Sequence, residues 1–352
     1  MKHFYRQRLH LAAVMVAATL TFMTACRRDR GSGSADAAST PAASEHAIGI
    51  ERLDPALDQV IEPDTKIEKV ASGFKFTEGP MWRKGRLWFS DLVANKMYAV
   101  SPDGKVEALM EHSGGLTDVP VGSFKGSNAM VTAKDGSVLM CQHGMRRIVR
   151  LDDHLRSAVF LDRWQGKRFN SPNDLVFAPD GALWVTDPPF GLDKQAADPA
   201  KEIPFRGVFR FANGNLTAVI KDLTNPNGIG FSPDGKTLYV SNSGPKMLVN
   251  RYPIRQDGTL GSPSVLISYP DRPDNEVPDG LKLDSAGNIW TTGPGGIRII
   301  TPGGKVLGQI KLPEVAANLA WAADGHTLYI TATSSIYRVR VKVPGQVPLY
   351  SR

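Results

Sequence analysis

Asn227-Gly228-Ile229-Gly230-Phe231-Ser232-Pro233-Asp234-Gly235-Lys236-Thr237-Leu238-Tyr239-Val240 contains one full unit of the fold. A polar residue opens a short apolar strand, a Pro-Asp-Gly turn reverses it, and an aromatic-bearing strand returns. Further copies start at Glu78, Asn128, Asn173, Asp279 and Asn318, with turn glycines at Gly85, Gly136, Gly181, Gly287 and Gly325. The offset from polar residue to turn glycine is 8 in four copies and 7 in the two that start at Glu78 and Asn318. Successive turn glycines lie 51, 45, 54, 52 and 38 residues apart. Hairpin repeats near this period build β-propellers, one four-stranded blade per repeat. Six copies predict an all-β, six-bladed β-propeller.

At 352 residues and 41% hydrophobic, the chain is long enough for such a ring to close as one domain. Its net charge of +7 falls to +4 without Lys2, Arg6 and Arg8, and no basic stripe with interleaved aromatics remains. A nucleic-acid partner is therefore not expected. Those three basic residues precede an apolar run over residues 11–22, too short to span a bilayer. The run ends Met23-Thr24-Ala25-Cys26, which resembles a bacterial lipobox. Residues 1–25 are thus expected to be a lipoprotein signal peptide, with lipidation at Cys26 and a place in the cell envelope, lipid-anchored on the periplasmic face. Residues 26–50, rich in Gly, Ser and Ala, read as a flexible tether. The propeller is expected over 51–345, with a C-terminal tail at 346–352. If Cys26 is acylated, only Cys141 remains and no intramolecular disulfide can form. Cys141 follows Val138-Leu139-Met140 and reads as a small core residue.

The last repeat offers three strands, whereas residues 67–70 (Ile-Glu-Lys-Val) precede the first hairpin and belong to none. An unpaired edge is a liability, so this N-terminal strand is expected to close the ring as the outer strand of the last blade. Inner strands line the channel, which places Glu78, Asn128, Asn173, Asn227, Asp279 and Asn318 at one mouth, facing the axis. The second strands climb back to the same mouth and end near Asp91, His143, Asp187 and Asn242. A mouth of carboxylates and carboxamides without cysteine suits a hard cation, Ca²⁺ before Mg²⁺ or Mn²⁺. Asp103, Asp180 and Asp234 read as turn residues only.

Thr77-Glu78-Gly79-Pro80-Met81-Trp82, Asn170-Ser171-Pro172-Asn173-Asp174-Leu175, Pro226-Asn227-Gly228, Pro278-Asp279-Gly280-Leu281 and Asn318-Leu319 occur in this order. They resemble the senescence marker protein / gluconolactonase / luciferin-regenerating enzyme (regucalcin-like) family over residues 65–342. The resemblance implies a divalent cation held by Glu78, Asn227 and Asp279, Ca²⁺ or alternatively Mg²⁺, Mn²⁺ or Zn²⁺. It places Asn173 against water or substrate at the metal; Asn128, Asp174 and His143 are further expected to bind substrate. Cys141-Gln142-His143-Gly144 is similar to a Cys-Glu-His-Gly motif of the gluconolactonase-like branch, with Gln142 in place of the glutamate. Two further departures are Asn128-Ala129 for Asn-Gly and Trp321-Ala322-Ala323 for Phe-Gly-Gly.

The implied chemistry is metal-assisted opening of sugar lactones by water. Asp279 is the first candidate for the base, with Asp174 and His143 as rivals. A same-fold phosphotriesterase or esterase, and a non-catalytic ligand-binding propeller tethered to the envelope, are the alternatives. The expected partners are a small-molecule lactone and the membrane, with the protein acting as a monomer. Gly230 to Thr237 matches the Walker A pattern, but the β-prone residues that follow, where a phosphate loop needs a helix, exclude a phosphate loop. Of Arg146 and Arg147, at least one is expected on the solvated surface. Residues 188–206 form an uncommonly long junction that should emerge beside the polar mouth as a lid, with Phe190 over the entrance.

Overall fold

The computed structural model describes residues 47–270 and 276–350. The expected signal peptide, Cys26 and the tether up to residue 46 lie outside the described residues. Six antiparallel sheets form the blades. Their inner strands are Thr77–Arg83, Ser127–Thr132, Leu175–Phe177, Pro226–Phe231, Leu281–Leu283 and Ala316–Trp321. The second strands, ending at or beside the residues expected at the mouth, are Arg86–Asp91, Val138–Gln142, Leu183–Asp187, Thr237–Asn242, Ile289–Gly293 and Thr327–Ala332.

Local chemistry dictates the hairpins. In the fourth blade Asp234 Oδ1 accepts hydrogen bonds from Lys236 N at 3.0 Å and Ser232 Oγ at 2.6 Å, and Gly235 takes φ +69°. That is the turn its Pro-Asp-Gly spelling demands. The Walker-like stretch is therefore a hairpin turn with no helix behind it. Asp103 and Asp180 bond the backbone two residues on in the same way.

The ring closes as the raw edge requires. Ile67–Ser72 pairs with Ser335–Arg340, Ile67 opposite Val339 and Ser72 opposite Ser335, so the last blade takes its outer strand from the N-terminal side. At the seam, Leu87, Phe89 and Val100 of the first blade pack on Ala320, Tyr329 and Ile336 of the last. Trp82 stacks on Tyr329 with ring centroids 5.5 Å apart. Full burial of Phe89 and Tyr329 contributes roughly 2 kcal/mol each. Cys141 is wholly buried on the strand Val138–Gln142, in the core.

The N-terminal boundary of the propeller falls earlier than expected. Gly49–Arg52 pairs with Val306–Lys311 as a fifth strand on the fifth blade, so Gly49 and Ile50 belong to the propeller and not to the tether. A 3₁₀ turn, Pro55–Gln59, follows; it starts at Asp54, whose Oδ1 accepts from Ala56 N. It sinks Leu57 completely into the core shared by blades five and six. At the other end the tail is packed against the ring. Gln346 N donates to Leu283 O at 2.9 Å, and the Tyr350 ring sits edge-on to Phe177 at 4.9 Å. Gln346 to Leu349 thus cover the far end of the channel.

Candidate active site at the channel mouth

Each polar residue of the repeat stands where its hairpin ladder breaks. The register of the first two strands slips between Glu78 and Met81, between Ser127 and Met130, between Pro226 and Ile229, and between Ala316 and Asn318. In blades three and five the pairing begins only at Leu175 and Leu281, past Asn173 and Asp279. Asn128, Asn173, Asn227 and Asp279 fall outside the paired registers and are free to turn toward the axis, while Glu78 and Asn318 stay paired, opposite Ser90 and Thr331, beside the slip. The glycines behind these residues make the crowding possible. A Cβ on Gly79 would lie 2.2 Å from Asn128 O, and one on Gly280 would lie 2.1 Å from Asn318 Oδ1.

Four of the six polar residues, Glu78, Asn227, Asp279 and Asn318, are linked by side-chain contacts. Asn318 Nδ2 donates to Glu78 Oε2 at 3.1 Å, and Asp279 interacts with both Glu78 and Asn227. Asn128 Nδ2 lies 3.1 Å from His143 Nε2. Glu78, Asn128, Asn173, Asp174, Asn227 and Asn318 are all at least 97% buried, while Asp279 is half-buried as a residue with its Oδ1 sealed from solvent. Burial raises both Glu78 and Asp279 above the carboxylate range, and Glu78 pushes Asp279 further up. Asp174 adds to the repulsion on both. Burial alone pushes His143 down to about 4, only partly offset by the Phe124 carbonyl.

These residues suit a hard cation. Asn128 Oδ1, Asn173 Oδ1, Asp174 Oδ2, Asn227 Oδ1 and Asp279 Oδ1 are buried oxygens with no hydrogen-bond partner. Buried acceptors without partners are costly, and all of these but Asp174 Oδ2, which faces Lys282, form with the carboxylates a cradle for positive charge. Among the described residues no three His, Cys, Asp or Glu side chains gather into a metal-binding group. The cradle instead mixes carboxylates with carboxamides, an oxygen set matched to calcium-like ions.

The ends of the second strands have a different job from the one expected. Asp91 accepts from Lys75 N and Phe76 N, Asp187 from Asn170 N and Ser171 N, and Asn242 Oδ1 from Asn225 N. All three clamp the loop that delivers the next polar residue to the axis, so they hold the ring in place from behind. Neither arginine after His143 is fully solvated. Arg146 is 5% exposed and donates to Phe169 O and Ala200 O, and Arg147 Nε donates to Gln142 Oε1 at 2.7 Å.

The long junction lies against the mouth. Ser171 Oγ donates to Pro188 O at 2.6 Å and accepts from Gly191 N at 2.9 Å. Gly191 sits so near His143 that a Cβ there would be 3.0 Å from the His143 Cβ. Asp193 pairs with Lys125 at 2.6 Å, and Phe190 between these anchors is half-buried. Lys282 was missed by the sequence reading. It stands between Leu281 and Leu283, both buried, and strand alternation could have pointed it at the channel.

Residues 76–334 match the family described as SMP-30/Gluconolactonase/LRE-like region. A gluconolactonase of Zymomonas mobilis subsp. mobilis is 37% identical over 350 residues, covering 95% of each chain. The pentonolactonase XacC of Haloferax volcanii is 25% identical over 74% of this chain and 83% of its own length. A gluconolactonase structure from Xanthomonas campestris superposes with a TM-score of 0.73 at 29% identity, covering 85% of this chain and 98% of the other. With its ordered Glu-Gly-Pro, Pro-Asn-Gly and Pro-Asp-Gly segments gathered at one channel mouth, the chain belongs to the SMP-30/gluconolactonase/LRE-like family.

Proposed function

We propose that this protein is a divalent-metal-dependent lactonase that opens sugar lactones of the gluconolactone type by attack of water. The observation that carries the reading is Asp279 in contact with both Glu78 and Asn227, with Asp279 Oδ1 and Asn227 Oδ1 buried and free of hydrogen bonds. The gluconolactonase and pentonolactonase names of the relatives supply the substrate class. Glu78, Asn227 and Asp279 would hold the cation, Ca²⁺ before Mg²⁺, Mn²⁺ or Zn²⁺. Once bound, it supplies Lewis-acid polarisation of the lactone carbonyl and stabilisation of the developing oxyanion.

The chain's own groups divide the remaining work. Asp279 is the base that takes a proton from the attacking water, since its Oδ1 accepts no hydrogen bond, whereas Glu78 Oε2 accepts from Gly79 N and Asn318 Nδ2. Asp174 is engaged, its Oδ1 accepting from Leu175 N at 2.8 Å and its Oδ2 facing Lys282. His143 is neutral and occupied by Asn128, so it orients that amide for substrate contact. Asn173 presents its amide beside them. The Phe190 segment forms the wall of the entrance. Anchoring through an acylated Cys26 would set this monomeric enzyme on the periplasmic face of the cell envelope. Metal analysis of the purified protein, then an aldonolactone and aryl-ester screen with and without chelator, tests the reading. Lactone turnover that chelator abolishes and Ca²⁺ restores supports it; turnover indifferent to chelator rejects the metal.

A further inference from the structure

Lys282 Nζ donates to Asn318 Oδ1 at 3.1 Å and to Leu281 O at 3.0 Å, and it lies 3.6 Å from Asp174 Oδ2. Its partial exposure opens into a cavity of about 310 Å³ beneath the ring, closed at the far end by residues 346–349. Asp174 and Lys282 are the charged residues lining that cavity. The ammonium therefore sits inside the channel, directly under the carboxylates, where water screens it poorly.

Two consequences follow from this placement. Asn318 Oδ1 also accepts from Leu319 N at 2.8 Å, so its oxygen is committed to Lys282 and Leu319 and its Nδ2 is left for Glu78 Oε2. Lys282 thereby fixes which way the Asn318 amide faces, and through it the position of Glu78. The second consequence is charge. Glu78, Asp174 and Asp279 are near enough to act on one another, and Lys282 offsets one of the three.

We propose that Lys282 is a positioning residue that sets the valence of the cation the ring accepts: three carboxylates and one ammonium leave a charge that a divalent ion neutralises and a trivalent ion overfills. The inference rests on the divalent-cation reading of the ring. A role confined to hydrogen bonding would weaken every cation alike when Lys282 is removed. A charge role scales with the valence of the ion, so the ratio of trivalent to divalent affinity separates the two.

Titration calorimetry of the intact protein with CaCl₂ and with TbCl₃, for wild type, Lys282→Met and Lys282→Gln, reads that ratio. Removing one positive charge at channel distance should raise the Tb³⁺-to-Ca²⁺ affinity ratio by about tenfold in both variants. Lys282→Arg, which keeps the charge, should retain the wild-type ratio. The glutamine variant keeps a donor for Asn318, so it reports on charge even if the methionine variant fails to fold. An unchanged ratio in a folded, Ca²⁺-binding Lys282→Gln protein overturns the proposal while leaving the metal site intact. A wild-type protein that binds neither ion overturns the metal reading and this inference with it.

Discussion

Asn318 on the last blade donates its Nδ2 to Glu78 Oε2 on the first at 3.1 Å, a contact between residues 240 positions apart. The seam that the closing strand ties at the rim is thus tied a second time at the axis, within the candidate site. Ring closure and site geometry are one problem in this fold: a slip at the seam would move Glu78 relative to Asn227 and Asp279.

Asp279→Asn removes a ligand charge and the proposed base in one change. Lactone hydrolysis should fall by about 10²- to 10⁴-fold, and metal affinity should drop with it in calorimetry. A variant that keeps full activity with metal bound would sink both assignments.

The N-terminal segment should show graded importance. Removing residues 26–46 leaves every described strand in place, and the melting temperature should not move. Extending the deletion through residue 62 takes the strand Gly49–Arg52 together with Leu57 and Ile61, both fully buried. That should cost on the order of 4 kcal/mol from lost apolar burial. Removing residues through 74 also strips Ile67–Ser72 from the last blade and should leave an open, aggregation-prone edge. Equal melting temperatures for all three truncations would refute the roles of Gly49–Arg52 and of the closing strand together.

Phe190 is held half-buried between the Ser171 anchor and the Lys125–Asp193 ion pair. Phe190→Ala should widen the entrance and raise kcat/KM for bulky lactones relative to small ones by about three- to tenfold, a hydrophobic-contact effect. Thermal stability should change little. An unaltered substrate profile in the folded, metal-loaded variant rules out the lid.

Acid should loosen the seam. Burial tends to raise Glu314, but hydrogen bonds from Ser335, Ser334 and Tyr337 outweigh it and hold the carboxyl down to about 2. A folded value below the ordinary one stabilises the native state fully above about pH 4.5, and that stabilisation disappears as pH falls toward 2. Discounted for partial exposure, it amounts to about 2 kcal/mol. Melting curves of wild type and Glu314→Gln should therefore converge between pH 4.5 and 2. Parallel curves over that window would remove Glu314 from the account.

The repeat, the blade count and the closing strand were legible because turn chemistry and strand period are local properties. Asn227 and Pro233-Asp234-Gly235 announce a strand start and a turn without reference to the rest of the chain. The contacts among Glu78, Asn227, Asp279 and Asn318 fit the same logic, since topology sends inner-strand starts to one mouth. What stayed hidden depends on contacts between segments remote in sequence. Asp91 and Asp187 look like ligands until the preceding loops arrive to donate their amides. Gly49-Ile50-Glu51-Arg52 has no alternation of its own and becomes a strand only because the edge of Val306–Lys311 is vacant. The buried setting of Arg146 comes from Phe169 and Ala200, which no spacing near residue 146 foretells.

The most direct test of the central claim is anomalous diffraction from crystals grown with Mn²⁺ and exchanged into Ca²⁺. The account predicts one strong peak on the channel axis, bonded to Glu78, Asn227 and Asp279, that Ca²⁺ displaces. Crystals of an enzyme that hydrolyses lactones, with no peak at the ring, would contradict it.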